Sequence, residues 1–116
     1  WPHRIQNGAA ALDFTSLSAM TFEAPDRRRF PGLHLAWEAL RAPEGTTAVL
    51  NAANEVAVQA FLDRAIRFDQ IHAVNLETLA DVVPSKSSCL EDLLALDALS
   101  RRSAQRAVRK LGVAVC

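Results

Sequence analysis

The chain has 116 residues, of which 50% are hydrophobic, and its 13 basic and 13 acidic side chains cancel to a formal net charge of zero. This composition supplies a core for one domain, and the charge balance excludes a strong long-range attraction to nucleic acid or to an anionic membrane. No apolar stretch is long enough to span a bilayer, and the first residues lack the apolar region of a secretory signal. The two cysteines, Cys89 and Cys116, form neither a disulfide framework nor a metal-ligand pattern, which indicates a reducing, cytosolic type of compartment.

The first 30 residues are predicted to form an irregular or extended arm. At most one short strand is expected in it, over residues 18–24. Because strands do not fold alone, the arm is expected to dock on another part of a longer protein. The chain does not begin with methionine and Met20 is its only one, so we expect a fragment.

A helical pattern begins at Pro31, since proline suits the first turn of a helix. Its apolar side chains fall at helical spacing and are predicted to face the core: Leu33, Trp37 and Leu40, together with the smaller Ala36. The Pro-Glu-Gly sequence at 43–45 predicts a turn. Thr46 or Thr47 is the expected N-cap of the second helix.

The most informative segment is 46–62, which has the composition of a buried helix but carries two asparagines and a glutamate. On a helical wheel one apolar face comprises Val49, Ala53, Val56, Ala57 and Ala60. Four polar residues form a single i,i+4 row, interpreted as a wet or interface edge: Asn51, Glu55, Gln59 and Asp63. Asn54 lies outside that row, on the apolar side. Because a buried amide needs partners, Asn54 is interpreted as a structural amide, with a direct binding role left open. The helix is predicted to end near residues 64–67.

Two more helices are predicted. Asp69 is the expected N-cap of the third. His72 and Asn75 interrupt its apolar face, so we expect the helix to break there, with Asn75 capping a second piece. After a linker at 84–88, Ser88 and Glu91 match a capping box for a fourth helix over about 89–111. Its predicted core side comprises Leu90, Leu93, Leu94, Ala104, Ala107, Val108 and Leu111, widened by Leu96 and Leu99. Four helices with short connections predict an all-α fold, a compact four-helix bundle.

A search for chemistry in the sequence yields no recognisable active site. The four glycines are scattered and form no phosphate-binding loop. His34 and Glu38 have the i,i+4 spacing of a metal pair but no third ligand, so a surface hydrogen bond or ion pair is preferred. Asp26 and the arginines at 27–29 are interpreted as a solvated turn, and no spacing demands a site among the arm carboxylates Asp13, Glu23 and Asp26. The basic residues of the fourth helix are assigned to its dipole.

Five segments carry a family resemblance: residues 1–5 (WPHRI), 12–17 (LDFTSL), 20–26 (MTFEAPD), 29–31 (RFP) and 50–56 (LNAANEV). Residues 66–68 (IRF) and the closing capped helix continue it. Over essentially its whole length the chain resembles the C-terminal part of 1-deoxy-D-xylulose 5-phosphate reductoisomerase. It departs mildly from the family at Gly32, where a cysteine is common, and in the more basic turn at 27–29.

The resemblance implies a parent enzyme that rearranges and reduces 1-deoxy-D-xylulose 5-phosphate to 2-C-methyl-D-erythritol 4-phosphate in non-mevalonate isoprenoid synthesis. It implies NADPH and Mg²⁺ or Mn²⁺ as cofactors of that parent, a homodimer, and a bacterial cytoplasm or plastid stroma. Residues 1–30 then correspond to the end of the catalytic domain and a linker, and residues 31–116 to a C-terminal helical bundle.

The same resemblance implies where the chemistry lies. The family's cofactor motif, metal-binding carboxylates and phosphate ligands all precede the matched segment. No catalytic, cofactor-binding or metal-binding residue is therefore expected in this chain, which we predict to be inactive alone. Its expected partners are the missing N-terminal and catalytic domains, with neither nucleic acid nor membrane among them.

Two other functions stay open at this stage. One is an independent helical interaction module that binds a partner through the face formed by Asn51, Glu55 and Gln59. The other is a small nucleic-acid binder, which would use Arg101, Arg102, Arg106 and Arg109.

Overall fold

The computed structural model of the chain describes residues 3, 8–17, 19–84 and 89–112. Within them the chain forms four helices, α1 (Pro31–Arg41), α2 (Thr46–Leu62), α3 (Gln70–Asp81) and α4 (Leu90–Gly112). The described part contains no strand, and residues 19–24 of the expected strand have no regular structure. The all-α prediction is confirmed. None of these helices is both long and apolar enough to cross a membrane.

Helix α2 lies at the centre of the bundle, because it packs against each of the other three helices, while α3 and α4 also pack against each other. Its predicted core face is confirmed: Val49, Ala53 and Ala57 are fully buried, and Val56 packs against the core. Small alanines suit this position, since they let neighbouring helices approach closely around α2. The larger of two core clusters combines residues from α2, α3, α4 and the loop that follows α2: Ala53, Ala57, Ala60, Ile66, Val74, Ala104 and Ala107.

The prediction for the core face of α1 is wrong. Leu35 and Ala39 are the buried residues of this helix, whereas Leu33, Trp37 and Leu40 are 43%, 49% and 65% exposed. Helix α1 packs on α2, and it does so through the smaller of its two apolar stripes. The larger stripe faces away from the bundle.

The two ends of α2 depend on backbone conformation rather than on capping side chains. Gly45 is the N-cap, with φ +90, and no side chain caps the helix. Thr46, one of the two expected caps, instead donates its hydroxyl to the carbonyl oxygen of Pro43 at 2.6 Å. At the other end Arg64 has φ +59, and the amide of Ala65 bonds the carbonyl oxygen of Ala60 at 2.8 Å. This six-to-one bond is a Schellman closure, and it ends the helix at Leu62, earlier than predicted.

Helix α3 is continuous, so the predicted break at Asn75 is wrong. Asn75 is only 6% exposed and finds a hydrogen-bond partner on α2, which removes the need to cap a second piece. Asp69 is the N-cap as expected, but its side chain makes no capping bond. It pairs with Arg67 instead, at 2.8 Å.

Helix α4 follows the prediction in its second half and departs from it in its first. Ala104 and Ala107 are buried, with Val108 and Leu111 packed around them. Leu90 and Leu94, however, are 64% and 60% exposed, and Leu96 is the buried leucine of the first turns. The buried set also includes Ser100 and Ser103, which apolar periodicity does not reveal. Of the proposed capping box and the linker before it, residues 85–88 lie outside the described residues.

Candidate functional site

The polar row of α2 was the first candidate surface, and its side chains are exposed as expected. Its members bond one another along the helix. The amide of Asn51 donates to Glu55 Oε1 at 3.2 Å, and that of Gln59 donates to Asp63 Oδ1 at 3.0 Å. These i,i+4 pairs stabilise a helix locally and occupy part of the bonding capacity that a partner would use.

Arg101 joins this row to α4. Its Nη2 donates to Glu55 Oε2 at 2.6 Å, while its Nε donates to Asp97 Oδ2 at 2.7 Å. One guanidinium thus holds two carboxylates, a geometry that its planar fork of donors allows. The hydrogen bond from Arg101, supported by that from Asn51, lowers the pKa of Glu55. Asp97 and then Glu55 raise the pKa of Arg101.

A groove of about 760 Å³ runs between α2 and α4 beside this bridge. Gln59, Arg101 and Arg109 contribute polar or charged surface to its lining, and Val56, Ala60 and Val108 contribute apolar surface. Because the lining carries both signs of charge, with Glu55 and Asp63 as well as the two arginines, the groove selects neither an anion nor a cation. It has no arrangement of nucleophile, base and orienting group that would define a catalytic centre.

A second bonded cluster connects α3 to α4. Asp81 Oδ2 accepts hydrogen bonds from the Ser103 hydroxyl and from Arg106 Nη2, the latter at 2.7 Å. One turn away Lys110 pairs with Glu77. The bond from Ser103, followed by that from Arg106, lowers the pKa of Asp81. Both clusters join residues more than 20 positions apart in sequence. Sequence reasoning missed them because spacing within one helix says nothing about its neighbour.

Asn54 has the kind of partner that a structural amide requires. Its Oδ1 accepts a hydrogen bond of 3.2 Å from Nδ2 of Asn75, which joins α2 to α3. Asn54 itself is exposed, contrary to its expected place on the apolar side, whereas Asn75 is the buried member of the pair. The Oδ1 of Asn75 is buried without a hydrogen-bond partner. This geometry favours a packing role for Asn54 over direct binding.

The histidine and carboxylate candidates do not assemble into a metal site. Within the described residues, no group of three or more His, Cys, Asp or Glu side chains is placed to hold a metal ion. His34 has Nε2 buried without a hydrogen-bond partner, and the structure records neither of the expected interactions between His34 and Glu38. Cys89 is an exposed free thiol; Cys116 lies outside the described residues.

The polar residues of the arm form local turns. Asp26 Oδ1 accepts the backbone amides of Arg28 and Arg29 at 2.7 and 3.2 Å, which confirms a solvated turn at 26–29. Asp13 accepts both the amide and the hydroxyl of Thr15, at 2.9 and 2.7 Å. These side-chain-to-backbone bonds are typical of Asx turns, and the bonds from Thr15 lower the pKa of Asp13. Glu23 is exposed and stands apart from both turns.

The arginines of α4 are partly neutralised. Arg101 and Arg106 bond to carboxylates of α2, α3 and α4. Arg102 is exposed, and Arg109 lines the groove between α2 and α4. A nucleic-acid surface needs several cations free to meet phosphates, so these pairings weigh against that alternative.

Fold and contacts together define a small helical-bundle domain whose polar side chains bond helix to helix. A family model described as the DXP reductoisomerase C-terminal domain matches residues 1–103. The chain therefore belongs to this family, and the resemblance seen in its sequence is confirmed.

Individual relatives agree with this assignment. The chain is 53% identical to the 1-deoxy-D-xylulose 5-phosphate reductoisomerase of Ralstonia pickettii, in an alignment that covers 91% of the chain and 27% of that protein. It is 48% identical to the Rhodopseudomonas palustris enzyme, covering 90% and 26%. A solved structure of the Zymomonas mobilis enzyme in complex with NADPH superposes with a TM-score of 0.80 at 45% identity, covering 93% of this chain and 29% of that one. The chain thus spans about a quarter of the length of the relatives it matches.

Proposed function

We propose that this chain serves as the C-terminal helical domain of an NADPH-dependent 1-deoxy-D-xylulose 5-phosphate reductoisomerase. In that role it braces the upstream domains, which bind substrate and cofactors and convert 1-deoxy-D-xylulose 5-phosphate to 2-C-methyl-D-erythritol 4-phosphate. Residues 1–30 are the end of the catalytic domain and a linker, and residues 31–116 are the bundle.

One observation carries this proposal: the family model spans 103 of the 116 residues. A shared C-terminal architecture at 45% identity supports a shared place in the longer protein. The contacts described above agree with a bracing role, since Arg101, Asp81 and Asn54 each connect two helices.

The cofactors of the reaction are assigned to the upstream part. NADPH supplies the hydride when bound, and a Mg²⁺ or Mn²⁺ ion polarises substrate oxygens. The described residues do not fit a metal ion, because no suitable group of ligands converges among them. From the layout of the family, we propose that this chain holds no catalytic, cofactor-binding or metal-binding residue.

We further propose that the complete enzyme is a homodimer and acts in a bacterial cytoplasm, in keeping with the bacterial origin of the relatives above. The plastid stroma stays a prediction. An independent interaction module that uses the Asn51, Glu55 and Gln59 face is the alternative. The bonds within that row and to Arg101 offer it no support.

The test is a chimera of the Zymomonas mobilis reductoisomerase in which this chain replaces the matched C-terminal part. We expect the chimera to oxidise NADPH when it is given 1-deoxy-D-xylulose 5-phosphate and Mg²⁺. The chain alone should show neither this activity nor a thermal shift with NADPH. An enzyme truncated before the matched part is the control. A folded chimera no more active than the truncated enzyme would contradict the proposal.

A further inference from the structure

Helix α1 presents an apolar face that the bundle does not cover. Phe30, Leu33, Trp37 and Leu40 are 55%, 43%, 49% and 65% exposed. At about 100° per residue, Leu33, Trp37 and Leu40 fall within about 60° of one another, on the side opposite to Leu35. These four residues are called the outer face of α1.

The two aromatic residues of the outer face each have an arginine over one side of the ring. The guanidinium carbon of Arg41 lies 5.5 Å from the ring centroid of Trp37, and that of Arg29 lies 5.6 Å from the centroid of Phe30. Aromatic residues and arginine are the types enriched at the centres of protein interfaces. The composition of the outer face is therefore that of an interface rather than of ordinary solvated surface.

The arm that leads into α1 also carries exposed apolar side chains. Five large side chains of the arm are also exposed: Leu12, Phe14, Leu17, Met20 and Phe22. The turn at Asp26 then connects the arm to Phe30 through a backbone bond of 2.8 Å between the Phe30 amide and the Asp26 carbonyl oxygen.

The size of the outer face argues for a partner in the same polypeptide. An aromatic side chain buries about 150–250 Å² when fully covered, so these four half-exposed residues offer on the order of 400 Å². A stable complex between separate proteins buries about 800 Å² per partner. Covalent linkage raises the effective concentration of the partner and so lowers the area required.

We propose that the outer face of α1 is the surface on which the upstream part of the same reductoisomerase polypeptide packs. This inference rests on the proposed function, because the relatives extend well beyond the matched quarter. The occupant is a domain surface with a complementary apolar patch, and Trp37 is the central side chain buried by it.

Hydroxyl-radical footprinting of the isolated chain and of the Zymomonas chimera tests this assignment without relying on activity. We expect Trp37 to be labelled about threefold more slowly in the chimera, as for a residue moved from a half-exposed position into an interface core. Phe68, which is 74% exposed, is the internal reference and should be labelled equally in both.

A matched pair of variants tests whether the protection of Trp37 depends on the outer face of α1. Leu40 and Leu62 are 65% and 64% exposed, and each lies at or near the C-terminal end of a helix. In the chimera, Leu40→Lys should return the labelling rate of Trp37 toward that of the isolated chain. Leu62→Lys should leave it unchanged. Circular dichroism of both variants in the isolated chain checks that the helices persist.

The outcomes separate this inference from the proposed function. Equal labelling of Trp37 in the isolated chain and in an active chimera would overturn the inference and leave the function standing. An inactive chimera with Trp37 protected would count against the function alone. Concentration-dependent protection of Trp37 in the isolated chain, with a dimer in sedimentation, would assign the face to a second copy and overturn the inference. If Leu40→Lys unfolds the chain, the labelling rates of Trp37 in the unsubstituted chain and the unsubstituted chimera still test the inference.

Discussion

Arg101 of α4 bonds Glu55 of α2 across 46 positions of sequence, with 2.6 Å between Nη2 and Oε2. The same guanidinium also forms an ion pair with Asp97, four residues earlier on its own helix. Asp97 therefore orients the side chain that reaches Glu55. Since the three side chains are between 34% and 54% exposed, solvent screens the bridge and limits its contribution to stability.

The first prediction concerns this bridge. Arg101→Met should lower the melting temperature by a few degrees, because it removes both ion pairs while keeping the aliphatic stem. Arg102→Met, on the exposed neighbouring position, should change it less. A double-mutant cycle with Glu55→Gln, followed by thermal unfolding, measures the coupling. Strictly additive effects would mean that the pair of Arg101 and Glu55 contributes nothing to folding.

The second prediction is a loss of stability in acid. Hydrogen bonds hold the pKa values of Glu55 and Asp81 below their ordinary values of 4.5 and 3.8. The unfolded chain therefore binds more protons than the folded chain at low pH. The stabilisation from these two carboxylates is complete above their ordinary pKa values. It is lost as the pH falls through those values toward the pKa values of the folded chain. Urea unfolding as a function of pH should show the free energy falling below about pH 4.5.

The control for the acid effect uses amide replacements. Glu55→Gln with Asp81→Asn should flatten the acid dependence. Glu44→Gln should not, because Glu44 is exposed and has no bonded partner among the described contacts. An unchanged acid profile in the double variant would show that other groups cause the loss.

The third prediction compares two valines. Val74 of α3 is fully buried in the larger core cluster, and Val83 is 83% exposed. Val74→Ala should cost about 1.5–3 kcal/mol in the free energy of unfolding, through lost burial and the cavity that remains. Val83→Ala should stay within about 0.5 kcal/mol. Urea titration of both variants checks this, and similar costs at the two positions would contradict the packing of α3 described here.

The fourth prediction compares two glycines. Gly45 has φ +90 at the start of α2, a conformation that costs other residues about 1–2 kcal/mol. Gly45→Ala should be destabilising by that order. Gly32 lies in α1 with nothing within 4 Å of an added Cβ, and Gly32→Ala should be stabilising by about 0.5–1 kcal/mol. Thermal or urea unfolding measures the sign of the stability change in each variant. If Gly45→Ala were stabilising, the left-handed conformation described for the N-cap of α2 would be contradicted.

The fifth prediction tests the amide pair. Asn54→Ala leaves the Nδ2 of the buried Asn75 without its acceptor, which should cost about 1–3 kcal/mol. Adding Asn75→Leu should recover part of that cost, because an apolar residue needs no partner. Asn51→Ala, at an exposed position of the same helix, should stay within about 0.5 kcal/mol. If Asn54→Ala proves as mild as Asn51→Ala, water satisfies Asn75 and the pair does not hold α2 to α3.

Much of the candidate surface was predictable from the sequence because it lies within one helix. The exposed row from Asn51 to Asp63 follows from a spacing of four residues, and so does the pairing of Asp97 with Arg101. The residues that these side chains bond on neighbouring helices do not follow from spacing. Neither Glu55 with Arg101 nor Asp81 with Ser103 leaves a local signal, because each contact joins residues more than 20 positions apart.

By itself the sequence determined that this chain is helical, where its four helices lie to within a few residues, which side of α2 is apolar, and the family to which it belongs. These properties depend on propensity, periodicity and local motifs, which involve residues that are close together in the sequence. Only the tertiary structure decided which stripe of α1 is buried, which leucines of α4 are covered, and that α3 runs unbroken through Asn75. Periodicity shows which residues share a face, but burial requires a neighbour, and the position of that neighbour is set by the packing of the whole bundle.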